Sequence, residues 1–496
     1  MSPESEYVGP NVRNLRGAPQ PLQPMERVTC AHVGFLLVGT TWAFGGQSDN
    51  AQLVISIWAS LSLVITLAAQ RRKLPSADDR RGPIRWLLPV IAFNAFVLLG
   101  CNNASFREVI SDGSILLIHQ GAKSSLPSSA RPQLGLQALW LFDGLWLSCF
   151  NIALVIRQRR TLRHLLLLAV ANAALLAIFG TVQKLGHATG IYFDAVPTSQ
   201  SYFFASFVYH NHWGSFILLM LAAGIGLTWH YRHRSDARDF FHTPAFAGLV
   251  VILLLAITLP LSGSRSTTML ASLFLLVALA HALSRFIRAR RQSQESIFLP
   301  IIGIGAALII AGGSTWFVAK DVVVARFSKS QEQFVEMQAI GGIGDRALLY
   351  HNTWRMAQEK PWFGWGMASF PHVFTLFNTR ESRADRLPVF YHDAHNDWLQ
   401  ALAEHGFAGT TLLVLCALTP LWQLRRSLIR NRFTLYLLGS CLLLLFYAMM
   451  EFPFGNVAVV LSWWFCFFCA VHYARLHDAG ASPRQLEDPP AVTADA

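Results

Sequence analysis

At 496 residues, a soluble chain would divide into two to four domains. Composition excludes that: hydrophobic residues make up 53% and charged residues only 14%, against about 25% charged in an average soluble domain. The same figures exclude a disordered chain, and seven cysteines, an odd number thinly spread, exclude a disulfide scaffold. Cys30, Cys149, Cys416, Cys441, Cys466 and Cys469 fall inside apolar runs, where cysteine serves as a small hydrophobe.

In chain order, residues 1–27 are polar and rich in Pro and Gly, with no signal-peptide core, and read as a cytoplasmic tail. Residues 28–318 hold nine apolar stretches long enough to cross a bilayer, for which roughly 17–25 residues suffice. They lie near 29–47, 52–69, 84–102, 134–156, 162–184, 210–230, 243–262, 267–286 and 297–318. Residues 319–395 form one large extracytoplasmic loop. Three more spans follow in 396–475, near 403–422, 433–451 and 453–475, and 476–496 reads as a disordered cytoplasmic tail. The predicted fold is an all-α polytopic membrane protein of about twelve transmembrane helices, the large loop containing short helices.

Basic residues set the orientation. With the N-terminus inside, the short cytoplasmic loops hold 21 Lys and Arg, among them Arg71, Arg157, Arg232, Arg285 and Arg425. The short loops opposite hold five: Arg107, Lys123, Arg131, Lys184 and Arg265. This is a positive-inside pattern with both termini cytoplasmic. The net charge of +12 is therefore mostly an orientation signal, and no nucleic-acid partner is expected.

Within the large loop, 345–359 reads as a helix stopped by Pro361, and Gly364 and Gly366 give a turn. A second helix, capped by Asp393 or Asn396, ends at Gly406. His395 at its start can exchange a proton near neutral pH, or simply cap the helix. His392 and His395 have a zinc-like gap, but no third ligand stands out and no metal or cofactor is expected. His210-Asn211-His212 reads as a polar helix entrance. Arg265, in a tight turn between two spans, and Arg346, at the start of the loop helix, are not explained by the positive-inside rule. Such arginines either snorkel to headgroups or meet an anion, and phosphate fits their fork best. Asp143 and Glu451 are unusual charges within or beside apolar spans, open to either a cavity-lining or a structural role.

Four pieces in order resemble the O-antigen ligase and O-antigen polymerase superfamily of bacterial membrane glycosyltransferases. They are Phe207-Val208-Tyr209-His210-Asn211-His212, then Ser262-x-Ser264-Arg265. Arg346 follows with Trp354 at helical distance and Pro361-x-x-Gly364-x-Gly366-x-x-x-Phe370, and last His395-Asn396-x-x-Leu399-x-x-x-x-Glu404-x-Gly406. The resemblance implies metal-independent, inverting transfer of a glycan from undecaprenyl diphosphate on the outer face of the bacterial inner membrane. The acceptor would be lipid A–core, a polysaccharide or a protein. By matching position, Arg265 and Arg346 would bind the diphosphate and His395 would activate the acceptor hydroxyl. Asn211, His212, Trp354, Asn396 and Glu404 would support the substrate site. The alternative is a transporter for a small solute such as bicarbonate, with Asp143 and Glu451 along its path, against which the chain shows no paired interrupted spans.

Overall fold

The computed structural model describes residues 21–71, 83–111, 114–198, 200, 202–232, 242–340, 345–379 and 390–481. Most of the expected tails at 1–27 and 476–496, and of the basic loops at 70–85 and 230–242, lies outside these residues. The protein is mostly helical. Each of the stretches expected to span overlaps a helix, and eight described helices are long and apolar enough to cross a membrane.

Helix α1 is Pro24–Trp42, earlier than expected. Its Glu26 is buried and accepts from the backbone N–H of Gln23 and of Arg157, satisfying two donors at once. Helices α2 (Asp49–Arg71) and α3 (Leu87–Asn102) follow. Residues 106–111 and 114–119 are a small exception within the mostly helical chain. They form an antiparallel hairpin, β1 (Phe106–Ser111) and β2 (Ser114–His119), with Phe106 opposite His119. The signal was present in Val109-Ile110 and Ile115, β-branched residues that suit a pleated surface, flanking the turn-prone pair Asp112-Gly113.

The bundle continues with α4 (Pro132–Val155), α5 (Arg159–Leu185), α6 (His210–Arg232), α7 (Pro244–Ser262) and α8 (Arg265–Gln292). Helix α9 (Phe298–Ile340) has 43 residues and runs on past 318, where the loop was expected to begin. At about 1.5 Å per residue it is roughly twice as long as a hydrocarbon core is thick. Then come the loop helices α10 (Asp345–Glu359) and α11 (Phe370–Val373), followed by α12 (Asp397–Arg430), α13 (Arg432–Tyr447) and α14 (Val457–Ala481).

Helices α6 and α14 form the centre: Trp213 and the run Phe216–Ala223 are buried all round, as are Phe465–Val471. Outer helices turn apolar side chains outward, as Val54, Ile57 and Leu61 do on α2, which suits contact with lipid. Close approaches use small residues: a Cβ on Gly214 would lie 2.0 Å from Thr267 Oγ1, so α6 and α8 are pressed together at their N-terminal ends. Several polar groups inside are paired with one another. Asn151 accepts from Thr66 at 2.9 Å and donates to the Ser62 carbonyl at 2.8 Å, and Asn94 donates to Asp143 at 2.8 Å.

Candidate active site

The N-terminal ends of α6, α8, α10 and α12 and the segment between α13 and α14 meet through hydrogen bonds at one end of the bundle.

The α7–α8 connection is two residues long. Gly263 takes φ +80°, a left-handed helix cap that favours glycine. Ser264 is buried, and its Oγ donates to Asn211 Oδ1 at 2.5 Å and accepts from Thr267 at 2.6 Å. Asn211 Nδ2 in turn donates to the Tyr209 hydroxyl at 2.9 Å. The turn that presents Arg265 is thereby bolted to the entrance of α6. Arg265 itself is exposed, at the first residue of a long helix whose N-terminal N–H groups favour an anion.

Glu451 is the hub of the site. It is buried in the short segment between α13 and α14. One carboxylate oxygen accepts from Arg346 Nη2, and the other faces His395 Nδ1 at 3.3 Å. Burial pushes the Glu451 pKa up, but the His395 hydrogen bond and the Arg346 charge outweigh it and hold it below the ordinary value. For Arg346, burial works against the charge, and Glu451 overcomes that and raises its pKa. An ionised carboxylate can only accept, so Nδ1 of His395 is the donor and Nε2 is left with its lone pair when the ring is neutral.

The rest of the site fixes that ring. His395 has φ +51°, uncommon for a residue with a side chain. The Tyr350 hydroxyl, one turn beyond Arg346, donates to the His395 carbonyl at 2.8 Å. The ring stands edge-on to Phe452, with centroids 4.5 Å apart. Phe452 is backed by Tyr209 at 5.2 Å and by His212 at 5.0 Å, whose Nε2 donates to the Phe452 carbonyl at 3.2 Å. His212 thus lies beneath the site. Asn396 caps α12 by accepting from the Leu399 N–H at 3.0 Å. Asp393 is pushed up to about 6 by burial, which His395 and His392 partly offset.

Glu404 belongs to a structural clamp. Its two oxygens accept from the N–H groups of Ala368 and Phe370, each at 3.0 Å. At Gly406 (φ +61°) the helix is broken, and Phe407 and Ala408 donate to the carbonyls of Pro361 and Trp362. Trp365 and Gly366 return bonds to the carbonyls of Ala403 and Glu404. A Cβ at Gly406 would lie 2.4 Å from the Trp362 carbonyl carbon. The last two sequence motifs are therefore the two halves of one interlock. It ties the loop to α12, beside a small outer core that includes Phe106, Trp365 and Phe377.

The structure brings Arg346 and His395 together on Glu451, with Asn396 next to His395, His212 against Phe452 and Asn211 bonded to Tyr209; Arg265 follows Ser264, whose hydroxyl is bonded to Asn211. Trp354 stands apart, exposed on α10. His392 packs on Phe390 while His395 turns to Glu451, and among the described residues no three His, Cys, Asp or Glu gather as a metal site. Sequence reasoning missed Tyr209 and Tyr350 as site residues and could not pair Glu451. The spacing of Tyr350 one turn after Arg346 was the available signal.

Residues 250–414 match the family model described as O-antigen ligase. The matched segment, about a third of the chain, is similar to that family. No curated protein matches the chain. The matched segment contains Arg265, Arg346, His395 and Glu404, whereas Asn211, His212 and Glu451 lie on either side of it. The match and the apolar helices support a multi-pass membrane protein of the kind that ligates or polymerises glycans.

Proposed function

We propose that the protein transfers a glycan from undecaprenyl diphosphate to a hydroxyl acceptor on the outer face of the bacterial inner membrane. Acceptors of this class are lipid A–core, a growing polysaccharide or a protein side chain. The observation that carries the reading is the bridge made by buried Glu451 between Arg346 and His395.

The acceptor hydroxyl oxygen attacks the anomeric carbon of the donor sugar. The bond from that carbon to the diphosphate oxygen breaks, with inversion, and its electron pair leaves on the diphosphate. The acceptor proton passes to His395 Nε2. Glu451 makes this transfer favourable by fixing the tautomer and by stabilising the imidazolium that forms. Arg346 spends one of its five N–H donors on Glu451, and its exposed guanidinium keeps others for phosphate oxygens. Arg265 and the first N–H groups of α8 supply a second positive locus. A diphosphate stabilised this way is a good leaving group without a metal ion, and its activated bond supplies the driving force where no ATP is present.

The test is transfer by purified protein with Arg265→Ala, Arg346→Ala and His395→Ala. The reading requires loss of transfer in each folded variant, and full activity in all three sinks it.

A further inference from the structure

Helix α10 buries one side and leaves the other to water. Leu349, Asn352, Thr353, Met356 and Ala357 are buried. Along the border of the open side, Arg346, Tyr350, Trp354 and Gln358 recur every four residues and so form one ridge. The ridge begins at the reaction centre: Arg346 is bound to Glu451, and Tyr350 to the backbone of His395 and Met450. It then runs away from that centre. Trp354 is 44% exposed and makes no hydrogen bond or ring contact among the described residues, an expensive placement for the largest side chain unless something covers it. Eight residues of helix separate Trp354 from Arg346 by about 12 Å.

We propose that this ridge is the docking track for the saccharide of the lipid-linked donor, with Trp354 as the platform under a sugar ring beyond the first. The proposal rests on the reading that Arg346 holds the donor diphosphate. A glycan attached to that diphosphate must leave the centre in some direction, and the ridge is continuous with the diphosphate site. The polarised C–H face of a pyranose suits the negative face of an indole. The Gln358 amide, with both donors and an acceptor, suits ring hydroxyls. The occupant is a neutral or charged oligosaccharide, and its register is set by Arg346.

The experiment measures binding to full-length protein in nanodiscs of two probes. One is bare undecaprenyl diphosphate. The other is the lipid-linked glycan extracted from host cells deleted for this chain. Trp354→Ala should weaken the glycan-bearing probe about tenfold, as for loss of one stacked aromatic contact, and leave the bare carrier within about twofold. Gln358→Ala should weaken the same probe to a smaller degree, and Trp354→Phe should retain most of the affinity. Equal weakening of both probes by Trp354→Ala would mean that the indole anchors the loop at the membrane surface, and would overturn the proposal. So would unchanged binding of the glycan-bearing probe. Arg346→Ala should weaken both probes; if it weakens neither, the reading of the diphosphate site fails, independently of Trp354.

Discussion

Replacing Glu451 by glutamine keeps shape and removes one charge, and the structure dictates how the new amide must sit. Arg346 is a donor only, so the amide oxygen must face it. The amide nitrogen then faces His395 Nδ1 across the 3.3 Å contact. That nitrogen is a donor, so Nδ1 must become the acceptor and the ring proton moves to Nε2. His395 then presents a proton where it should receive one. Inverting the tautomer of a catalytic histidine in this way costs about 10²–10⁴ in turnover, or roughly 3–5 kcal/mol of barrier. Donor binding should change little, because Arg346 keeps its acceptor. The assay is steady-state transfer by purified E451Q protein, with kcat and KM for the lipid-linked donor determined separately. A kcat within about threefold of the unsubstituted protein would refute the assignment of Glu451 as the group that sets the His395 tautomer.

Gly406→Ala should destabilise the protein by about 2–4 kcal/mol, since it adds a Cβ both at φ +61° and against the Trp362 backbone; thermal unfolding in detergent checks this. Asp393 has its pKa raised from 3.8 to about 6 by burial, so its ionisation is disfavoured in the fold. A raised carboxyl favours folding below the unfolded value and loses that advantage as pH rises through the folded one. Asp393→Asn should therefore raise Tm at pH 7.5 relative to the unsubstituted protein and change it far less at pH 4. Asp143→Asn should leave transfer within about twofold, because Asn94 can hydrogen-bond the amide oxygen as it does the carboxylate; a transporter using Asp143 would instead lose flux.

The membrane character was legible because lipid demands long apolar helices: every expected span overlaps a helix, and eight of these helices are long and apolar enough to cross a membrane. The 345–359 helix was equally plain, between a chain rich in glycine and Pro361. Helix α9 continues to 340, past the end of the expected span at 318, because a fall in hydropathy does not by itself stop a helix. The hairpin at 106–119 was overlooked because a search tuned to twenty-residue apolar runs passes over strands of six. At the site, Arg346 and His395 stood out as ionisable groups in unusual places. Their link through Glu451, 56 positions beyond His395, is a property of tertiary packing that no local pattern encodes. Glu404 was read as substrate support from its place in the family-like motif, whereas in the fold both of its oxygens accept from backbone N–H groups.

Glycan transfer at the Arg346–Glu451–His395 centre can be measured outright. Purified protein is incubated with undecaprenyl-diphosphate-linked glycan and a lipid A–core or polysaccharide acceptor, in detergent without ATP, and both lipids are followed by mass spectrometry. Glycan should appear on the acceptor as free undecaprenyl diphosphate accumulates, and Arg346→Ala and His395→Ala should abolish both. Undiminished transfer by either variant, or intact donor throughout in the presence of solute flux into liposomes, would contradict a transferase centred on these residues.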